Sequence, residues 1–419
     1  MIKKFVLQPG VVLRCFPDTR FKQGSLSIQF VRKMGQEAAY NALLPAVLLR
    51  GTEKCPDMRH IIRRLDDLYG ASVGALVRRI GDYQTTGLSC SFIDDRFAME
   101  GDRVLAPMVD FLRELLLQPA LSDGCFREDY VESEKENLIL TIQAQRNDKR
   151  AYAAGQLFKL MGKEDSFGIP RLGRIEDVTA IGVKDLYDHY RRVLRESPIE
   201  IFYTGSVQPE EMAALLKPMF AGLDRAPAVL PSQTPLKASA GGEHTEQMEL
   251  TQGKLAMGFV TPVTVTDPQF PAMQVFNTLY GSGMISKLFM KIREEMSLCY
   301  DINSGYYGTK GVLTVSAGID FDKVTLVRRE IMAQLEACRA GEISPEELKA
   351  AKEAVISGLR AVHDSPGSIE GYYAIAALSG LGMTPEEYIR CVEKVTAAQV
   401  AQAAETVELH TVYFLQGVA

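Results

Sequence analysis

With 419 residues, 46% of them apolar and 24% charged, the chain has the composition of a globular protein and is longer than one ordinary core requires. A formal charge of -6, with Asp and Glu scattered among Lys and Arg, supplies no field for nucleic acid or an anionic membrane. Seven cysteines, widely spaced and without a Cys-x-x-Cys pair, exclude a disulfide framework and predict reduced thiols in a cytoplasmic protein.

The first ten residues hold too few apolar side chains before Pro9 for a signal peptide. No run approaches the length of a membrane span, so neither secretion nor insertion is expected. Gln23 to Phe30 alternates as a strand after a glycine turn. The stretch Asn41 to Thr52 reads as a helix bearing Pro45, which lacks an amide proton and predicts that the helix bends or begins there. A second helical pattern (Ile61, Ile62, Leu65, Leu68) ends at Gly70, strands follow from Ala71 to Phe92, and a helix spans Asp102 to Gln118.

From Arg225 to Gln247 the sequence turns to Pro, Ser, Thr, Ala and Gly, the composition of a linker. Beyond it Gln252 to Phe259 repeats the Gln-Gly strand pattern of Gln23 to Phe30. A helix carrying Leu288 and Ile292, strands from Tyr300 to Ile319 and a helix from Lys323 to Ala340 repeat the order of the first half. Such recurrence predicts a tandem duplication. We expect an α+β fold of two homologous domains, 1–224 and 248–419, joined by the linker 225–247. Each would be an antiparallel sheet of about six strands with helices packed on one face. Ser344-Pro345-Glu346-Glu347 and Thr384-Pro385-Glu386-Glu387 predict capped helix starts.

Chemistry is sparse. The five histidines (His60, His189, His244, His363, His410) include no pair spaced for a helical metal site. His60 and His189 read as surface or packing residues. Neither a nucleophile elbow nor a phosphate loop is present, and Gly281-Ser282-Gly283 reads as a turn that opens a helix.

Asn41-Ala42-Leu43-Leu44-Pro45-Ala46-Val47-Leu48-Leu49-Arg50-Gly51-Thr52 resembles the metal-binding helix of pitrilysin-like (insulinase-type) peptidases, the mitochondrial-processing-peptidase branch included. In that family an inverted His-x-x-Glu-His motif holds zinc and activates water. Registered on Gly51-Thr52, the histidine positions fall on Ala42 and Ala46 and the glutamate on Pro45. The third ligand falls on Thr141, with Glu136 nearby. The resemblance thus implies a chain without metal or cofactor and not catalytic by itself.

The segment from Asn277 to Tyr300, with Ser286-Lys287-Leu288-Phe289, Arg293-Glu294 and Leu298-Cys299-Tyr300, resembles the second-domain signature of the same family. The resemblance makes Arg293 and Tyr300 substrate-binding residues, and both are strong donors toward a peptide carbonyl or oxyanion. Together these implications predict the substrate-binding subunit of a heterodimeric zinc endopeptidase, whose partner is a homologous chain bearing the zinc. Peptides or small unfolded proteins would be the substrate, with no nucleic acid or membrane involved. The alternative is a peptide-binding or structural scaffold with no protease role.

Overall fold

The computed structural model describes residues 2–99 and 101–418. In the first half the strands are β1 (Lys3–Gln8), β2 (Val11–Pro17), β3 (Gln23–Lys33), β4 (Ser72–Ile80), β5 (Tyr83–Ile93), the short hairpin pair β6 (Leu121–Ser122) and β7 (Cys125–Phe126), and β8 (Ile199–Gly205). The second half supplies β9 (Gly242–Met248), β10 (Gly253–Val260), β11 (Cys299–Tyr307), β12 (Val312–Ile319) and β13 (Glu408–Gly417).

The two large sheets share one plan. Sheet one runs β1-β2-β8-β3-β5-β4 and sheet two runs β11-β12-β10-β13-β9. Matching β4, β5, β3, β8 and β2 to β11, β12, β10, β13 and β9 preserves both order and direction, including the single parallel pair of each sheet, β2 with β8 and β9 with β13. This is the expected α+β duplication. The second copy lacks a counterpart of β1, so its sheet has five strands. β9 forms within the stretch that composition reads as linker, because pairing along β13 satisfies its backbone.

Five helices of the first half are needed below: α1 (Ala38–Leu48), α2 (Met58–Asp67), α3 (Leu105–Leu117), α4 (Glu128–Ala144) and α5 (Lys149–Met161). The predicted capping boxes at Ser344 and Thr384 are present, each hydroxyl accepting from the amide of Glu347 or Glu387.

The chain forms two compact units, and neither is a contiguous half. The first comprises residues 1–143, 171–231 and 363–375. The second comprises 144–170, 232–362 and 376–419. In the first unit Leu26, Ile28 and Phe30 of β3 join Phe111, Leu112 and Leu115 of α3 in the main core. The opposite face of β3 carries buried Ser27 and Gln29. It is covered by the helix Pro366–Ser379, whose Glu370 accepts from Ser27 Oγ (3.1 Å) and Gln29 Nε2 (2.5 Å) and takes both terminal nitrogens of Arg78 at 2.7 Å. A buried carboxylate is tolerable only with such a complete set of donors.

The second unit mirrors this arrangement. There α5 lies on the face of sheet two formed by Ala256, Val312, Tyr413 and Leu415, through Ala153, Leu157 and Met161. A Cβ at Gly258 would strike Met161, so glycine lets the helix sit this close. The fully buried Lys310 lies 2.9 Å from Asp165 Oδ1, and Asp165 also accepts from the amides of Phe167 (2.8 Å) and Lys237 (3.0 Å). Each unit therefore has helices on one face of its sheet and, on the other, one helix from the distant half of the sequence, held by an ion pair whose carboxylate is buried.

Candidate functional site

Helix α1 carries Ala42, Pro45 and Ala46, the positions that the resemblance assigns to the metal motif. It runs from Ala38 to Leu48 with Pro45 in its interior, so the helix does not begin there. The backbone carbonyl of Asn41, which an amide at position 45 would normally engage, accepts instead from Thr86 Oγ1 of β5 at 2.6 Å. A side chain across the core thus replaces the missing donor, removing most of the penalty of an interior proline. Ala42 and Pro45 are buried and Ala46 partly so, against the first core.

Beside these positions stands a closed polar cluster. Gln84 Nε2 donates to the carbonyls of Ala38 (3.1 Å) and Arg171 (2.7 Å), which can only accept, so its Oε1 must face Asn41. Asn41 Nδ2 donates to that oxygen at 2.8 Å, leaving Asn41 Oδ1 toward His189 Nε2, also at 2.8 Å. His189 is therefore protonated on Nε2, and its Nδ1 lies 3.3 Å from Arg192 Nη2 and 3.5 Å from Glu37 Oε1. Glu37 completes the cluster, with Oε2 2.5 Å from Arg32 Nη2 and Oε1 3.1 Å from Arg192 Nη2. Contact with His189 and the Arg32 guanidinium hold the Glu37 carboxyl well below its usual range. Burial pushes the His189 imidazole below its ordinary value, while Glu37 acts in the opposite sense.

Thr141 lies exposed on α4, its hydroxyl donating back to the carbonyl of Asn137 at 2.8 Å. Glu136 is also exposed. The α4 carboxylate that reaches the end of the α1 segment is Glu134, which pairs with Arg50 at 3.0 Å. Alanine and proline carry no ligand atoms, and one hydroxyl cannot replace two imidazoles and a carboxylate, so these residues do not fit zinc. Among the described residues no group of three or more His, Cys, Asp or Glu side chains could hold a metal ion.

Arg293 and Tyr300 belong to the second unit. Two π-helical segments, Thr278–Ser282 and Phe289–Glu295, frame the signature, and Gly283 closes the first of them instead of opening a helix as its sequence suggests. Such wide turns recur at functional sites. Arg293 sits in the last turn of the second, its guanidinium 4.7 Å from the ring centre of Phe289. Tyr300 follows a turn in which Ser297 adopts φ 51, and it enters the edge strand β11 with 64% of its surface exposed. Its hydroxyl donates to Asp320 Oδ1 at 3.3 Å.

Sequence reasoning missed the cluster of Asn41, Gln84, Thr86 and His189. Its one local signal is a polar Asn beside the first lost ligand, and Gln84 and His189 declare nothing until the fold joins them.

A family model described as the peptidase M16 inactive domain matches residues 180–355. The chain is 28% identical over 409 residues to a probable inactive metalloprotease, YmfF, of Bacillus subtilis, covering 97% of this chain and 96% of that one. A conserved protein of Enterococcus faecalis has the same fold at a TM-score of 0.90 and 28% identity, over 100% of this chain and 99% of that one. An M16 inactive-domain structure from Pseudomonas fluorescens aligns at a TM-score of 0.82 and 16% identity, over 100% and 98%. Among the described residues no helix is long and apolar enough to cross a membrane. With its duplicated fold, and with alanine and proline where the resemblance places the metal motif, the chain is similar to the pitrilysin-like M16 peptidase family in its zinc-motif-lacking, inactive type.

Proposed function

We propose that this chain is the non-catalytic, substrate-binding subunit of a two-chain zinc endopeptidase, with the zinc and its activated water supplied by a homologous partner and peptides or small unfolded proteins as substrate. The observation that carries this reading is Tyr300. A large aromatic side chain stands 64% exposed on an ordered edge strand, where a purely structural tyrosine would bury its ring. Arg293 is likewise half exposed, with only an ion contact of 3.7 Å to the neighbouring Glu294 and the Phe289 ring to hold it. A phenol and a guanidinium offered outward can donate to a peptide carbonyl and hold it more firmly as negative charge develops there. This supports a binding role and gives the chain no means of cleaving a bond alone.

The test is reconstitution with a homologous chain that has an intact His-x-x-Glu-His. Chelator-sensitive cleavage of an unstructured peptide should appear in the mixture and not with this chain alone. Tyr300→Phe should lower turnover of the mixture by about 10²–10³ fold, the scale of a lost oxyanion donor, and Arg293→Lys should be damaging because an ammonium lacks the planar fork. Chelator-sensitive cleavage by this chain alone would refute the proposal, and undiminished turnover in both variants would leave a scaffold.

A further inference from the structure

Helix α2 is seated on the first unit's core by Ile61, Leu65 and Leu68 and presents most of its other residues to solvent. Met58 and Ile62, one turn apart, expose an apolar pair, with Ile62 53% accessible. Just past the helix end, Tyr69 Oη accepts from the amide of Met99 at 3.1 Å, which places a second exposed pair there, Met99 being 70% accessible. Beside Met58 and Ile62 run Arg59 and Arg63, also one turn apart, and among the described residues neither has a carboxylate within ion-pair distance.

The charge arrangement opposes what the helix alone would select. Helix N-termini favour acidic residues and C-termini basic ones. Here Arg59 and His60 occupy the first turn, Arg63 the middle, and Arg64 with Asp66 and Asp67 the last, with Asp57 as the cap. The positive end of the peptide dipoles and the Arg59 guanidinium therefore reinforce each other, and Arg63 extends the positive charge along the apolar pair to the middle of the helix. We infer that the outer face of α2 is a docking site for an acidic amphipathic segment of a partner protein, its apolar residues on Met58 and Ile62 and its carboxylates on Arg59 and Arg63. A bilayer is the poorer occupant, since a flat anionic surface would also press on Asp66 and Asp67, whereas a segment can place its carboxylates on Arg59 and Arg63 alone. This inference stands independently of the zinc-bearing partner.

Two synthetic amphipathic peptides with identical leucine faces, one with glutamates and one with lysines on the polar face, test it by fluorescence anisotropy against the intact chain. The glutamate peptide should bind at least about tenfold more tightly than the lysine peptide, and Arg59→Glu with Arg63→Glu should abolish the difference. Ile62→Asp should weaken binding by about tenfold or more, and Ile62→Ala guards against misfolding of the aspartate variant by giving a smaller loss in a normally folded protein. Absent binding of the glutamate peptide, equal affinity for both peptides, or affinity unchanged in the variants would overturn the inference. Binding to phosphatidylserine vesicles in preference to the glutamate peptide would overturn it in favour of a membrane.

Discussion

The α1 region lies in one copy of the duplicated fold and the Arg293–Tyr300 region in the other, and the two differ in every physical respect. Around α1, polar atoms are buried and matched to one another: Asn41, Gln84 and His189 are almost wholly inaccessible, and even the carbonyl orphaned by Pro45 has a donor. Around Tyr300, donors face solvent and their contacts are long. Where ligand-bearing positions have been replaced, the interior has been refitted until nothing is left to bind. Around Arg293 and Tyr300 the donors stay at the surface, held by the long contacts to Glu294 and Asp320.

That contrast fails if the α1 cluster is dispensable, so the largest expected effect is there. Asn41→Leu strands Gln84 Oε1 and the His189 Nε2 proton in the core and should cost about 2–4 kcal/mol by chemical denaturation. A loss below about 1 kcal/mol would mean the cluster is incidental. Thr86→Val should cost about 1–3 kcal/mol by leaving the Asn41 carbonyl bare. Pro45→Ala added to it restores an amide donor, and the double variant should recover much of the loss. Simple additivity in that cycle would show that Thr86 does not compensate for Pro45.

Acid should expose the same cluster. The folded pKa of His189 lies below its ordinary 6.5, so the folded state binds fewer protons than the unfolded chain beneath that pH. The associated stability is full above 6.5 and is lost as pH falls toward the folded value. Glu37, also depressed, contributes stability above its ordinary 4.5 that is lost at lower pH still. Melting temperature should therefore fall between about pH 7 and 5, and His189→Gln, which keeps a donor to Asn41 and does not titrate, should flatten that fall. A slope unchanged in the variant would assign it elsewhere. The smallest effect belongs to the other region: Tyr300→Phe should leave stability within about 0.5 kcal/mol of the parent, and a larger loss would make Tyr300 structural.

Local signals in the sequence were read well. The glycine-preceded strand repeated in each half and the Ser-Pro-Glu-Glu and Thr-Pro-Glu-Glu starts encode their structure within a few residues. The behaviour of Pro45 was illegible because its remedy, Thr86, lies on another element, and propensity alone argues for a break. Gly281 to Gly283 misled because glycine marks a boundary without saying which side is helix. The membership of 144–170 and 363–375 was illegible because the partners that hold those segments, Arg78 for Glu370 and Lys310 for Asp165, lie far away in the sequence.

The reciprocal placement of those two segments also bears on synthesis. Ser27 waits for Glu370, 343 residues downstream. At about 5–20 residues per second, ribosomes need roughly 20–70 s to cover that distance. Throughout it the polar face of the first sheet lacks its carboxylate, and Arg78 is left without its bidentate acceptor. The amino-terminal half cannot reach its final state as an early, independent product of translation. Maturation of the first unit is tied to near-completion of the whole polypeptide, and ribosome-stalled chains ending before residue 363 should be more protease-sensitive in β3 and β4 than released ones.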